Sequence, residues 1–148
     1  GMKLFDDEEK PKEWRNNFKG IRFTDKEGNE LFGAVDDLLM NKGKLIVFDY
    51  KTRGFPLKED TAELYQDQLN IYNFLLRKNG YKTEDYCFLL FYYPNKVMET
   101  GEVVFDTKLV KIKTDVKNGE KVFEDAIECL LGGMPRKECE WCELVENG

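Results

Sequence analysis

Histidine is absent from this chain of 148 residues. Its absence excludes the histidine-based zinc motifs, the Ser-His-Asp relay and every Cys-His nucleophile pair. A glycine-rich phosphate loop and a nucleophile elbow are missing as well. No apolar run approaches the roughly 20 residues that a membrane-spanning helix requires. The start of the chain, Met2-Lys3-Leu4-Phe5 followed by Asp6, Asp7, Glu8 and Glu9, lacks the apolar stretch of a signal peptide, so a cytoplasmic, membrane-free protein is expected. Gly1, ahead of Met2, reads as an expression scar. Positive charge is scarce: 23 Lys and Arg stand against 29 Asp and Glu, for a net charge of -6. The chain as a whole therefore has no basic footprint for a phosphate backbone, although a local basic groove is compatible with an acidic remainder, and an empty metal site is itself acidic. With four cysteines, thiols or metal ligands are expected rather than disulfides.

What is present is a folded composition, with 41% apolar, 14% aromatic and 35% charged residues. The length suits one domain over 1–148. Phe5 to Asn17 is polar and reads as a short helix interrupted by Pro11. Phe18 to Asp25 and Glu30 to Met40 read as a strand hairpin about the turn Lys26-Glu27-Gly28-Asn29. Asn41-Lys42-Gly43 is a second turn, and Lys44 to Lys51, a nearly continuous apolar run ending in charge, is a central strand. Asp60 and Glu63 have capping-box spacing, which predicts a helix opening there and lasting to Lys78, stopped by Gly80.

Tyr86 to Tyr93 is a second apolar strand. A long helix separates it from the Lys44 strand, so the two are expected to be parallel neighbours joined by a right-handed crossover. Glu102 to Lys113 gives a further strand. Asp115 to Leu131 gives a final helix with Val122, Phe123, Ala126, Ile127, Leu130 and Leu131 at helical spacing, ended by Gly132-Gly133 and Pro135. The fold class is α/β of the α+β type, a mixed central sheet with flanking helices.

One group of residues carries chemistry. Asp49 and Lys51 lie two apart on a strand and share a face, while Tyr50 points the other way. A carboxylate and an ammonium at the end of an apolar central strand are costly to bury without partners. The turn at Lys42 folds the preceding strand antiparallel onto this one and pairs residue 36 with a position close to 48 or 49. Asp36 and Asp49 could then hold one hard cation through oxygen, which suits Mg²⁺ or Mn²⁺. The structural alternative is a strand-end ion pair beside a solvated turn acid.

Gly33-Ala34-Val35-Asp36, Asp49-Tyr50-Lys51-Thr52 and Gln68-Leu69-Asn70-Ile71-Tyr72 together resemble three successive motifs of the RecB-like branch of the PD-(D/E)xK nucleases. The resemblance covers roughly Gly33 to Pro94 and implies a restriction-endonuclease-like core. It implies that Asp36 and Asp49 bind metal, that Lys51 is catalytic, and that Gln68 and Tyr72 border the site from the helix. The backbone carbonyl of Tyr50 could complete the metal shell. The implied partner is nucleic acid, DNA ahead of RNA, and the implied activity is metal-dependent, exonuclease-like phosphodiester hydrolysis in repair or defence. The competing reading is a weak or inactive nuclease-fold module serving a larger complex.

Such nucleases usually carry another acid or a histidine on an N-terminal helix, for which Glu13 is a stand-in and Glu8 and Glu9 are weaker ones. Some relatives hold an iron-sulfur cluster, and Cys139-Glu140-Trp141-Cys142 looks like part of that pattern. Without an early cysteine or a last one, the expectation is a chain without the cluster. Cys87 and Cys129 read as core or flank thiols.

Overall fold

The computed structural model describes residues 1–5 and 10–132. Its elements are β1 (Lys3–Leu4), α1 (Lys10–Trp14), β2 (Ile21–Thr24), β3 (Glu30–Gly33), β4 (Asp37–Asn41), β5 (Lys44–Thr52), α2 (Gln66–Lys78), β6 (Tyr86–Val97), β7 (Val103–Lys113) and α3 (Val116–Leu131), with a single 3-10 turn at Glu63–Tyr65 before α2. Five strands form a mixed sheet in the order β1-β4-β5-β6-β7, and β2 and β3 form a separate hairpin.

The centre of the sheet follows the sequence closely. Lys42 and Gly43 both take positive φ, 47° and 79°, which closes a two-residue hairpin between Asn41 and Lys44 with the right twist for its strands. β5 then runs parallel to β6, with Asp49 opposite Leu89 and Lys51 opposite Phe91. The apolar run of β5 is central because both of its faces are covered: Leu45, Ile46 and Val47 are all buried. Leu69, Tyr72, Leu75 and Leu76 of α2 pack with Leu45, Val47, Cys87, Leu89 and Phe91 on one face of the sheet. The other face carries the aromatic series Tyr50, Phe48, Phe88 and Tyr86, whose successive ring centroids lie 5.2, 6.4 and 5.6 Å apart.

Three local expectations are corrected. The strand read from Glu30 to Met40 is two strands with a break at residues 34–36. Val35 turns its side chain into the core and gives its N–H to the Trp14 carbonyl at 3.0 Å, so the chain leaves one ladder before it enters the next. The first hairpin consequently lies outside the main sheet, held on α2 by Phe23 against Phe74 and on α3 by Phe23 against Phe123.

The capping box at Asp60 and Glu63 does not form. Asp60 supplies its backbone carbonyl to the Glu63 N–H instead of its carboxylate, and the α-helix begins at Gln66. Leu64 is accordingly exposed. At the far end, Leu130 and Leu131 are exposed although their spacing matches the buried stripe, because α3 packs through its first half, around Gly119 and Phe123. The final-helix start is as read, with the Asp115 carboxylate accepting from the Lys117 N–H at 2.9 Å. Gly133, Pro135 and the Cys139/Cys142 pair lie outside the described residues, as do Glu8 and Glu9.

Candidate active site

The C-terminal end of β5 brings two charged side chains onto the face that α2 covers. Asp49 is almost fully buried, with its side chain 4% exposed, and the Lys51 side chain is 17% exposed. The ammonium of Lys51 lies 2.7 Å from Asp49 Oδ2. That contact pairs their charges without the alignment of a hydrogen bond, and Oδ2 is left with no hydrogen-bond partner. Lys51 instead donates to Gln68 Oε1 at 2.9 Å and sits 4.7 Å from the centre of the Tyr65 ring. Gln68 Nε2 in turn donates to the Tyr72 hydroxyl at 2.8 Å. Residues 68 and 72 can share this task because they are one helical turn apart on the sheet side of α2.

Asp36 enters from the break before β4. The β4–β5 ladder ends at Asp37 opposite Phe48, so Asp36 lies one step further along, level with Asp49. Its carboxylate accepts the Tyr50 N–H at 2.9 Å, taking a backbone donor that the ladder no longer serves. Burial pushes the Asp49 pKa up, Lys51 opposes the shift, and the neighbouring Asp36 carboxylate adds to it. Tyr72 is also pushed up, chiefly by burial, with Gln68 opposing and the charges of Asp49 and Asp36 contributing. Asp36, Asp49, Lys51, Gln68 and Tyr72 are therefore one electrostatically connected group. The Tyr50 side chain faces away, donating its hydroxyl to Asp37 Oδ2 at 3.1 Å.

Glu13 does not join them. It is exposed on α1 and accepts from Lys19 at 3.1 Å. No group of three or more Cys, Asp or Glu side chains converges among the described residues. Two sequence positions not singled out beforehand touch the group, Tyr65 through its ring and Arg15 through Asp36 and Asp37. Neither had a signal in spacing or pattern, since both contacts depend on irregular segments.

A groove of about 1330 Å³ lies elsewhere, between the β2–β3 turn and α3, and none of these side chains lines it. The chemistry sits at the end of β5, beneath α2, instead. A buried carboxylate oxygen that lacks a hydrogen bond and sits beside a second carboxylate is a donor set that fits a hard divalent cation.

A mixed five-stranded sheet flanked by helices, with an Asp-x-Lys pair on the central strand, defines a restriction-endonuclease-like α+β fold. The model of the PD-(D/E)XK nuclease superfamily matches residues 3–146, and the chain belongs to that superfamily. Among solved structures the fold is similar to that in "Crystal structure of SSO0001", with a TM-score of 0.51 and 18% sequence identity. The match covers 81% of this chain and 52% of that one, so the chain corresponds to about half of the longer protein. No curated protein matches. No helix among the described residues is long and apolar enough to cross a membrane.

Proposed function

We propose that this chain is a divalent-metal-dependent nuclease of the RecB-like branch that hydrolyses phosphodiester bonds in nucleic acid, DNA ahead of RNA, with exonuclease-like action in repair or defence. The observation that carries the reading is the buried Asp49 carboxylate, which has the Lys51 ammonium 2.7 Å from its Oδ2 and a second carboxylate, Asp36, level with it on the neighbouring chain segment. Burying a carboxylate in that condition costs stability, and a bound cation offsets the cost.

Asp36, Asp49 and the Tyr50 carbonyl would hold Mg²⁺ or Mn²⁺, which when bound polarises the phosphate and acidifies a water. Lys51 orients the attacking water and balances charge gained on the phosphate. Gln68 fixes Lys51 by accepting a hydrogen bond from its ammonium, and Tyr72 fixes Gln68 by accepting one from its amide. Tyr72 stays neutral at physiological pH, which suits a residue that holds an amide rather than one that carries charge. The protein acts in the cytoplasm, as a single domain that serves alone or within a larger complex.

A second reading, a weak or inactive nuclease-fold module acting as a structural or nucleic-acid-binding subunit, is favoured by the position of Glu13, which pairs with Lys19, so that no third acid joins the two aspartates among the described residues. An assay on labelled single- and double-stranded DNA with Mn²⁺ or Mg²⁺, beside Asp49→Ala, separates the two. Metal-dependent cleavage abolished in the variant supports the nuclease. Binding without cleavage supports the module.

A further inference from the structure

Asp36 and Asp37 are chemically equivalent neighbours, yet Asp37 pairs with Phe48 while Asp36 lies level with Asp49 and acts on its charge. Asp36 also lies outside any strand, so no ladder fixes its backbone. Two bonds from the end of α1 replace the ladder: Trp14 O accepts the Val35 N–H at 3.0 Å, and Arg15 Nε donates to the Asp36 carbonyl at 2.7 Å. The same guanidinium donates through Nη2 to Asp37 Oδ1, while the Tyr50 hydroxyl takes Asp37 Oδ2. Asp37 is thereby engaged at both oxygens on the side away from the site. Asp36 is left to accept the Tyr50 N–H and to meet Asp49.

We propose that Arg15 is a positioning residue that sorts the two adjacent aspartates, committing Asp37 to structure and presenting Asp36 as the metal-facing carboxylate. The proposal rests on the metal-site reading for its consequence, but its geometric part stands without it. The planar fork of an arginine serves two acceptors at once in fixed directions, here a carbonyl and a carboxylate on consecutive residues. A lysine in its place offers a single charged centre. Arg15 is about half exposed at its side chain, so its charge alone contributes little and its geometry is what matters.

Arg22 supplies a matched control on the β2–β3 hairpin. It too holds one carboxylate, Glu30, and one carbonyl, that of Phe18, without touching the aspartates. The direct readout is hydrogen exchange of the Tyr50 amide by NMR on the full chain, because that N–H is bonded to the Asp36 carboxylate. Arg15→Ala and Arg15→Lys should each speed this exchange about tenfold through local opening, with the amides of β6 unchanged. Arg22→Ala should leave Tyr50 as in the wild type.

In a parallel Mn²⁺ titration, Arg15→Ala should weaken binding about tenfold, as loss of a group that orients a metal ligand does. Unchanged Tyr50 exchange, equal effects from Arg22→Ala, or full rescue by Arg15→Lys would each overturn the sorting role. Faster exchange with unaltered Mn²⁺ affinity would overturn its link to the metal. If the wild type itself binds no Mn²⁺, the metal reading fails, and the exchange data alone decide what Arg15 does.

Discussion

Gly33 and Tyr72 are in contact across the hairpin and α2: a Cβ added at Gly33 would lie 2.9 Å from Tyr72 Cε1 and 3.4 Å from Leu75 Cδ1. The glycine that opens the first motif is thus a space requirement of the tyrosine that closes the third. The ring cannot swing freely, because its hydroxyl is held by Gln68. Gly33→Ala should destabilise the protein by about 1–3 kcal/mol, the usual cost of overpacking a fitted contact. Urea unfolding checks this, and the loss should shrink in a Tyr72→Ala background if the two residues are coupled.

Gly119 has the same relationship with backbone. A Cβ there would sit 2.4 Å from the Asn70 carbonyl oxygen, so α2 and α3 would have to part. Gly119→Ala should destabilise by about 1–3 kcal/mol despite the roughly 1 kcal/mol of helix propensity that alanine adds. A melting temperature equal to or above that of wild type would show that the helices have room.

The parts of the fold that were legible from sequence are those fixed by local chemistry. The Lys42-Gly43 turn, the apolar run of β5 and the helix between β5 and β6 together dictate an antiparallel step followed by a parallel one. That alone places Asp36 level with Asp49, and Asp49 and Lys51 on one face. What was not legible depends on contacts distant in sequence. Val35 leaves its strand because Trp14 offers a carbonyl, and the Asp60 carboxylate fails to cap because the chain takes a 3-10 turn first. Arg15 gave no sign of its role, since a lone arginine on a polar helix reads as solvated surface until the Asp36 segment folds beside it.

Lys51 is predicted to matter for turnover rather than for metal. Lys51→Ala should lower the cleavage rate on the order of a hundredfold, as loss of a group acting in the transition state does. Its Mn²⁺ affinity should remain close to that of wild type. Gln68→Ala should have a smaller effect in the same direction, because it loosens Lys51 without removing it. Single-turnover rates at saturating Mn²⁺ measure both.

Cys87 provides a pH test that rests chiefly on burial, with the charge of Asp49 adding to the shift. Burial pushes its thiol up to about 12 from an ordinary 9.0, with the Val47 backbone and Thr114 opposing. The folded protein therefore keeps this proton while the unfolded chain releases it, and the associated stability is complete below pH 9.0 and lost as pH rises from there toward 12. Cys87→Val should remove that part of the alkaline decline in denaturation midpoint. A decline of the same steepness in both proteins would place the cause elsewhere.

Calorimetric titration of the wild type and Asp49→Ala with Mn²⁺ bears most directly on the proposed site, since it requires no knowledge of the substrate. The wild type should bind one ion or more and gain melting temperature with Mn²⁺ concentration, because a ligand bound only by the folded form stabilises it. Asp49→Ala should show neither heat nor stabilisation. Equal Mn²⁺ responses from the two proteins would contradict a metal site at Asp36 and Asp49 and leave the buried pair as a structural ion pair.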